Sequence, residues 1–223
     1  MVIRNLIQSF RHFGEDPTGY ISDDTSFSDF AIYQQLVRSR AVIVKDRDRK
    51  EYFNHTMFQT LPCVMFEEVD ANECGLIPRS RCKILKSTCP TPNILKLISV
   101  TSQLGNQTFD YVRWDQTAGK LNSRIESIRD SVFATIRTIG DEQYIYLIND
   151  DYIKNGVVVA IFEDPVIAAQ FCGDQEALCN PMELDFHTDA KLTDVVLKLS
   201  YDTILGVRRA AKPDVVNDDT NLQ

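Results

Sequence analysis

The chain opens with apolar residues at helical spacing. Ile3, Leu6, Ile7, Phe10 and Phe13 fall on one face, and Gly14 and Pro17 stop the pattern. The opposite face carries only Arg4 and Arg11 beside neutral groups, which predicts packing on protein rather than on a membrane. A longer helical pattern lies between Ser22 and Phe53. Phe30, Tyr33, Val37, Ala41 and Val44 form one stripe, with Ile32, Leu36 and Ile43 as a second beside it. So broad an apolar arc predicts a helix buried on two sides, against its own domain and against a neighbour. Ser26 with Asp29 resembles a capping box, and Asp23 and Asp24 suit the positive end of the helix dipole. The far end, KDRDRKE, alternates in sign and reads as a solvated, self-paired turn.

From Leu61 the period becomes that of strands. LPCVMFEEV, RCKILKS and LKLISVTS are short runs rich in branched residues, with turn-forming stretches such as STCPTPN between them. LGNQ predicts a hairpin tip at Gly105 leading into FDYVRW. Gly140-Asp141-Glu142 joins SVFATIRTI to QYIYLIN, and Asn155-Gly156 predicts a two-residue hairpin between YIK and VVVAIFE. Helical signals then return. Asp164-Pro165 is an N-cap followed by a first-turn proline, with Gly173 as the stop of a helix over 165–172. Thr188 or Asp189 caps a longer helix whose stripe is Leu192, Val195, Val196, Leu199 and Thr203, ended by Pro213.

This order predicts an α+β fold, a central, mostly antiparallel β domain flanked by N-terminal and C-terminal helices. The predicted organisation is an N-terminal helical segment over 1–53, a mostly β domain over 54–187, a C-terminal helix over 188–212 and a flexible tail over 213–223.

Composition narrows the function. The 223 residues carry 24 Lys and Arg against 32 Asp and Glu, a net charge of −8, which argues against a protein built to grip nucleic-acid backbone. The imbalance is local: Asp141 to Ala190 holds eleven Asp or Glu and one base, Lys154. Such asymmetry marks a solvated face or a partner surface. No apolar run reaches the ~20 residues of a membrane helix, and the opening residues do not read as a signal peptide. The expected product is a soluble, acidic, globular protein.

The six cysteines, Cys63, Cys74, Cys82, Cys89, Cys172 and Cys179, lack the close pairing of zinc ligands. Without a secretory signal they are predicted to be free, mostly buried thiols. Catalytic spacings are absent: no phosphate-binding glycine loop, GxSxG, HExxH or GxGxxG occurs. His12, His55 and His187 are scattered, and the acidic pairs Asp23/Asp24, Asp150/Asp151 and Asp218/Asp219 lack the spaced ligands of a calcium loop. Glu67 and Glu68, adjacent on a strand, point to opposite faces. Tyr111, Arg113 and Trp114 have too few bases around them for a stacking platform on nucleic acid. The reading is a non-enzyme with no cofactor, no metal and no catalytic residue.

Several stretches resemble a virion structural family of crAss-like, Bacteroides-infecting tailed phages. They are DDTSFSDFAIYQQLVRSRA, QTLPCVMFEEVDANEC, VVVAIFEDPVIAAQFC, CNPMELDF and the final helix with KPDVVNDDTNLQ, in that order along the chain. FEDP, with the cysteine and NPME behind it, is the most specific element. The resemblance implies a head-to-tail connector protein: a homo-oligomeric, dodecameric ring beneath the portal that extends the DNA channel towards the tail. It also implies a virion location after synthesis in the host cytoplasm. The implied partners are further copies of the chain, the portal protein and adjacent tail or ring proteins, with double-stranded DNA passing unbound and no membrane. Within that picture the expected interface residues are Phe30, Tyr33, Val37 and Val44 on the long helix. Val215 and Val216 of the tail are expected in an apolar groove, with Asp218 and Asp219 near bases. The competing readings are a monomeric, non-enzymatic binding or regulatory module and a metal-dependent nuclease assembled from distant carboxylates.

Overall fold

Seven strands close into a barrel in the order β1-β2-β6-β5-β4-β3-β7. They are β1 (Gln59–Glu68), β2 (Ile84–Ser87), β3 (Ile94–Ser102), β4 (Thr108–Tyr111), β5 (Phe133–Ile139), β6 (Glu142–Ile148) and β7 (Asn155–Phe162). The computed structural model describes residues 1–13, 27–47, 53–69, 83–150, 152–173 and 178–211, with side chains up to 204. Alternation on β6 and β7 (Ile145, Leu147; Val158, Ala160, Phe162) and register shifts on β1 and β3 that bring in residues three apart (Leu61, Val64; Leu97, Val100) fill the barrel with one buried cluster. The chain is therefore an α+β protein with a β-barrel core and flanking helices.

Every described strand pair is antiparallel except β4 with β5. That parallel pair needs a crossover, and α3 (Trp114–Leu121) with α4 (Glu126–Arg129) supplies it. The sequence reading carried a strand run through Trp114 and missed both helices. Trp114 and Leu121 of α3 cover Ile84, Phe133, Tyr146 and Ile148 on the outside of the barrel. Arg137 lies over the Trp114 ring, 4.8 Å from its centroid.

The remaining helices are α1 (Ile3–Phe13), α2 (Asp29–Arg47), α5 (Pro165–Phe171) and α6 (Ala190–Ala211). Ile3, Leu6, Ile7 and Phe10 pack with Ile32, Tyr33, Leu36 and Val37, closed by Phe186, Val196 and Leu197. Val44 and Leu192 then meet Met57 and Ile161 on a second outer face of the barrel. Both buried sides of α2 thus lie within its own chain. On α6 the buried stripe is Leu192, Thr193, Val196, Leu197 and Ser200, whereas Val195 is 48% exposed. The predicted stripe is rotated because Ser200 turns inward, donating from Oγ to the buried Ser39 Oγ at 2.8 Å.

Local signals resolve as follows. Asp164 Oδ1 accepts from the Val166 and Ile167 amides at 2.9 and 3.3 Å, and Pro165 opens α5 as expected. Asp189 rather than Thr188 caps α6, accepting from the Lys191 amide at 3.1 Å. At α2 the cap is Ser28, whose Oγ accepts from the Ala31 amide at 3.2 Å; Ser26 lies outside the described residues. The Gly140 and Gly105 turns form as predicted, both at positive φ. Asn155-Gly156 is not a hairpin tip. These residues begin β7, paired with Met65 and Val64 of β1. Glycine is required there by approach rather than by turning: a Cβ on Gly156 would lie 2.8 Å from Phe66 Cε2.

The thiol expectation is also corrected. Cys63 on β1 and Cys172 at the end of α5 form a disulfide, with Cα atoms 5.7 Å apart across 109 residues of sequence. Folding lays α5 along β1, and no sequence spacing announces that. Cys89 and Cys179 are free and exposed rather than buried; Cys74 and Cys82 lie outside the described residues.

Candidate assembly interface

Three stretches that carry the family resemblance converge at one end of the barrel. From α2, Tyr33 donates its hydroxyl proton to Asp164 Oδ1 at 2.5 Å. Two turns of helix further on, Arg40 is 1% exposed. Its Nη1 donates to the carbonyls of Phe162 at 2.6 Å and Glu163 at 3.3 Å. Its Nε and Nη2 donate to the His187 carbonyl at 3.1 and 3.0 Å. One guanidinium therefore ties the end of β7 to the segment leading into α6, using the planar fork that lysine lacks. His187 adopts φ 41°, which turns its carbonyl into the fork's reach.

Burial sets the electrostatics. It lowers the Arg40 pKa to about 10, with the Tyr33 and Asp164 side chains opposing the fall, so the cation persists at neutral pH. Burial, then the hydrogen bond to Asp164, pushes the Tyr33 phenol well above its ordinary range. Burial also holds the His187 imidazole below its ordinary value. This junction is a structural lock; its groups are saturated by one another.

Beside the lock an open cleft of about 480 Å³ lies between α2, α5, the β2–β3 connection and the β5–β6 tip. Apolar Val37, Pro90, Pro92, Ile167 and Phe171 line it, and Asp141, Glu142, Glu163 and Asp164 stand around it with Arg38 as the base among its lining. The acidic sequence block thus concentrates four carboxylates on one concave, part-apolar surface. Burial and concavity of this kind suit a protein partner. Among the described residues, no group of three or more His, Cys, Asp or Glu side chains is placed to hold a metal ion.

A family model for phage tail ring protein 2, of the crAss ring group, matches residues 18–222. The chain belongs to that ring family. It is accordingly a phage virion component of the tail-ring type. No curated protein matches the chain. No described helix of this ring protein is long and apolar enough to cross a membrane.

The structure places the expected interface residues of the ring protein unevenly. Tyr33, Val37 and Val44 are 4%, 5% and 1% exposed and belong to the chain's own core. Phe30, at 65% exposure, is the member of that stripe turned to solvent. Val215, Val216, Asp218 and Asp219 lie outside the described residues. Sequence reasoning missed Pro92, Ile167 and Phe171 as cleft residues, since each sits in a different segment. It also missed Arg40, whose one visible signal was a charge between the two apolar stripes of a helix.

Proposed function

We propose that this ring protein forms a homo-oligomeric, dodecameric ring at the head-to-tail junction, stacked on the portal and extending the DNA channel towards the tail. The observation that carries the reading is the ring-family match over 18–222. Two physical features support it. A closed barrel offers no open sheet edge for strand addition, so association has to use helices, loops and clefts, which the exposed Phe30 and the acidic cleft provide. A net charge of −8 repels duplex DNA, and a channel wall that does not release counterions lets DNA slide. In this reading the protein is non-enzymatic, and the residues after Pro213, with Val215, Val216, Asp218 and Asp219, run along an adjacent chain.

Cryo-electron microscopy of virions tests the placement. The expected result is a ring of this chain in contact with the portal and coaxial with the DNA path. Its presence only at the distal tail, or its absence from the particle, overturns the connector assignment. Deleting residues 214–223 is expected to leave the subunit folded and to weaken ring or portal association.

A further inference from the structure

The end of the barrel opposite the cleft is built from three connections that are bonded to one another. Strand direction fixes the polarity: β5 and β7 run towards the cleft, while β3 and β6 run away from it. At the far end the Gln103 amide donates to the Asn155 carbonyl at 3.3 Å, and Gln107 Nε2 to Asp150 Oδ2 at 2.7 Å. Asn149, at φ 64°, donates from Nδ2 to the Arg129 and Ser131 carbonyls, both at 3.0 Å. These bonds gather Leu104, Tyr152, Ile125 and Ile128, which are 87%, 85%, 57% and 41% exposed. Four large apolar side chains on one braced end form an unusual surface for a solvated loop cluster. Exposed Arg124 and Lys154 flank them, while Glu126 and Asp130 both lean on Arg129.

We propose that this braced apolar end of one subunit seats in the acidic cleft of the next copy of the same chain. The two surfaces match in apolar content, and Arg124 and Lys154 of the one can meet Asp141, Glu142 and Glu163 of the other. They lie about 25 Å apart along the strands, at ~3.3 Å per residue of β7. One subunit therefore carries two different patches at opposite ends, as a heterologous, head-to-tail contact needs; such a contact gives a ring where the rotation between successive copies closes. The contact rests on the ring assignment made above and names the surfaces that would close it.

The test is native mass spectrometry of the full chain and of two variants with opposite lesions. Ile125→Asp with Ile128→Asp spoils the apolar end; Asp141→Arg with Ile167→Asp spoils the cleft. All four side chains are exposed, and circular dichroism verifies that each variant keeps the wild-type spectrum. The wild-type chain is expected to assemble, and each variant alone to be monomeric at the same concentration. Mixed together, the two variants are expected to give one-to-one dimers and nothing larger, because one intact end and one intact cleft remain. Should the apolar-end variant fail to fold, Arg124→Asp replaces it, expected to weaken assembly about fivefold or more and to be rescued in the Arg124→Asp, Asp141→Arg double variant. Variants that assemble as the wild type does overturn this contact and leave the ring standing. A wild-type chain that stays monomeric at every concentration overturns both.

Discussion

Replacing Arg40 by methionine isolates the lock between barrel and helices. Methionine keeps most of the stem's volume but offers no donor. The Phe162 and His187 carbonyls, each held by the guanidinium at 2.6 and 3.0–3.1 Å, then lose a charged partner in a site that is 1% exposed. A buried acceptor left unsatisfied costs roughly 1–3 kcal/mol, so two of them cost about 2–6 kcal/mol before any relaxation. Part of this is offset because the variant no longer desolvates a cation whose pKa burial has already pulled down to about 10. The expected net loss is about 3 kcal/mol. For a chain of this size each kcal/mol moves the midpoint by roughly 2–4 °C, so the melting temperature should fall by about 6–12 °C. Arg40→Lys should fall comparably, since one ammonium cannot span carbonyls on two separate segments. The assay is thermal unfolding followed by circular dichroism, at one fixed chain concentration so that assembly does not shift the midpoint. An unchanged or raised midpoint for Arg40→Met would show that the apolar replacement repacks the site and that the fork holds nothing together.

Asp164→Ala should cost about 2 kcal/mol, with ~1 for the helix cap and ~1 for the stranded Tyr33 hydroxyl, and a cycle with Tyr33→Phe should recover the second part; additive losses would dismiss the coupling. Cys172→Ser removes the link between β1 and α5 and should lower stability by about 2–4 kcal/mol, with dithiothreitol reproducing the effect in the wild type and leaving the variant unmoved. Gly156→Ala should cost about 1–3 kcal/mol by pressing a methyl group into the Phe66 ring and to 3.2 Å from the Thr101 carbonyl, and in the Phe66→Leu background the ring's share of that cost should disappear. For His187 the folded state holds the pKa down, so the unfolded chain binds the proton more readily. Stability from this group is complete above the ordinary value near 6.5 and is lost as pH falls through the lower folded value. His187→Gln should flatten denaturation midpoints over that acidic window; an identical pH profile would remove His187 as its cause.

The strand and helix runs could be read from the sequence because their signals are local. The branched-residue run LKLISVTS, the Gly140 turn and the Asp164-Pro165 cap each fix geometry within a few residues, and each formed, although two register shifts in that strand bury every third residue rather than every second. Barrel closure could not be read, since pairing β1 with β7 joins residues about a hundred apart that no periodicity connects. The same distance hid the Cys63–Cys172 bond and the cleft. Asn155-Gly156 misled for a different reason: glycine serves both a turn and a close approach, and the Phe66 ring that decides between them belongs to another strand. The broad arc of α2 correctly implied two buried faces, but the second face meets the barrel and α6, which leaves Phe30 as the stripe's solvent-facing residue.

The central claim is that this chain closes into a ring, and the mass of the assembled species tests it most directly. Native mass spectrometry of the purified full chain, across concentrations and with portal protein present, should give a single closed species at twelve times the 25.4 kDa subunit mass. A chain that remains at the subunit mass under all of these conditions, with and without portal, would contradict the account.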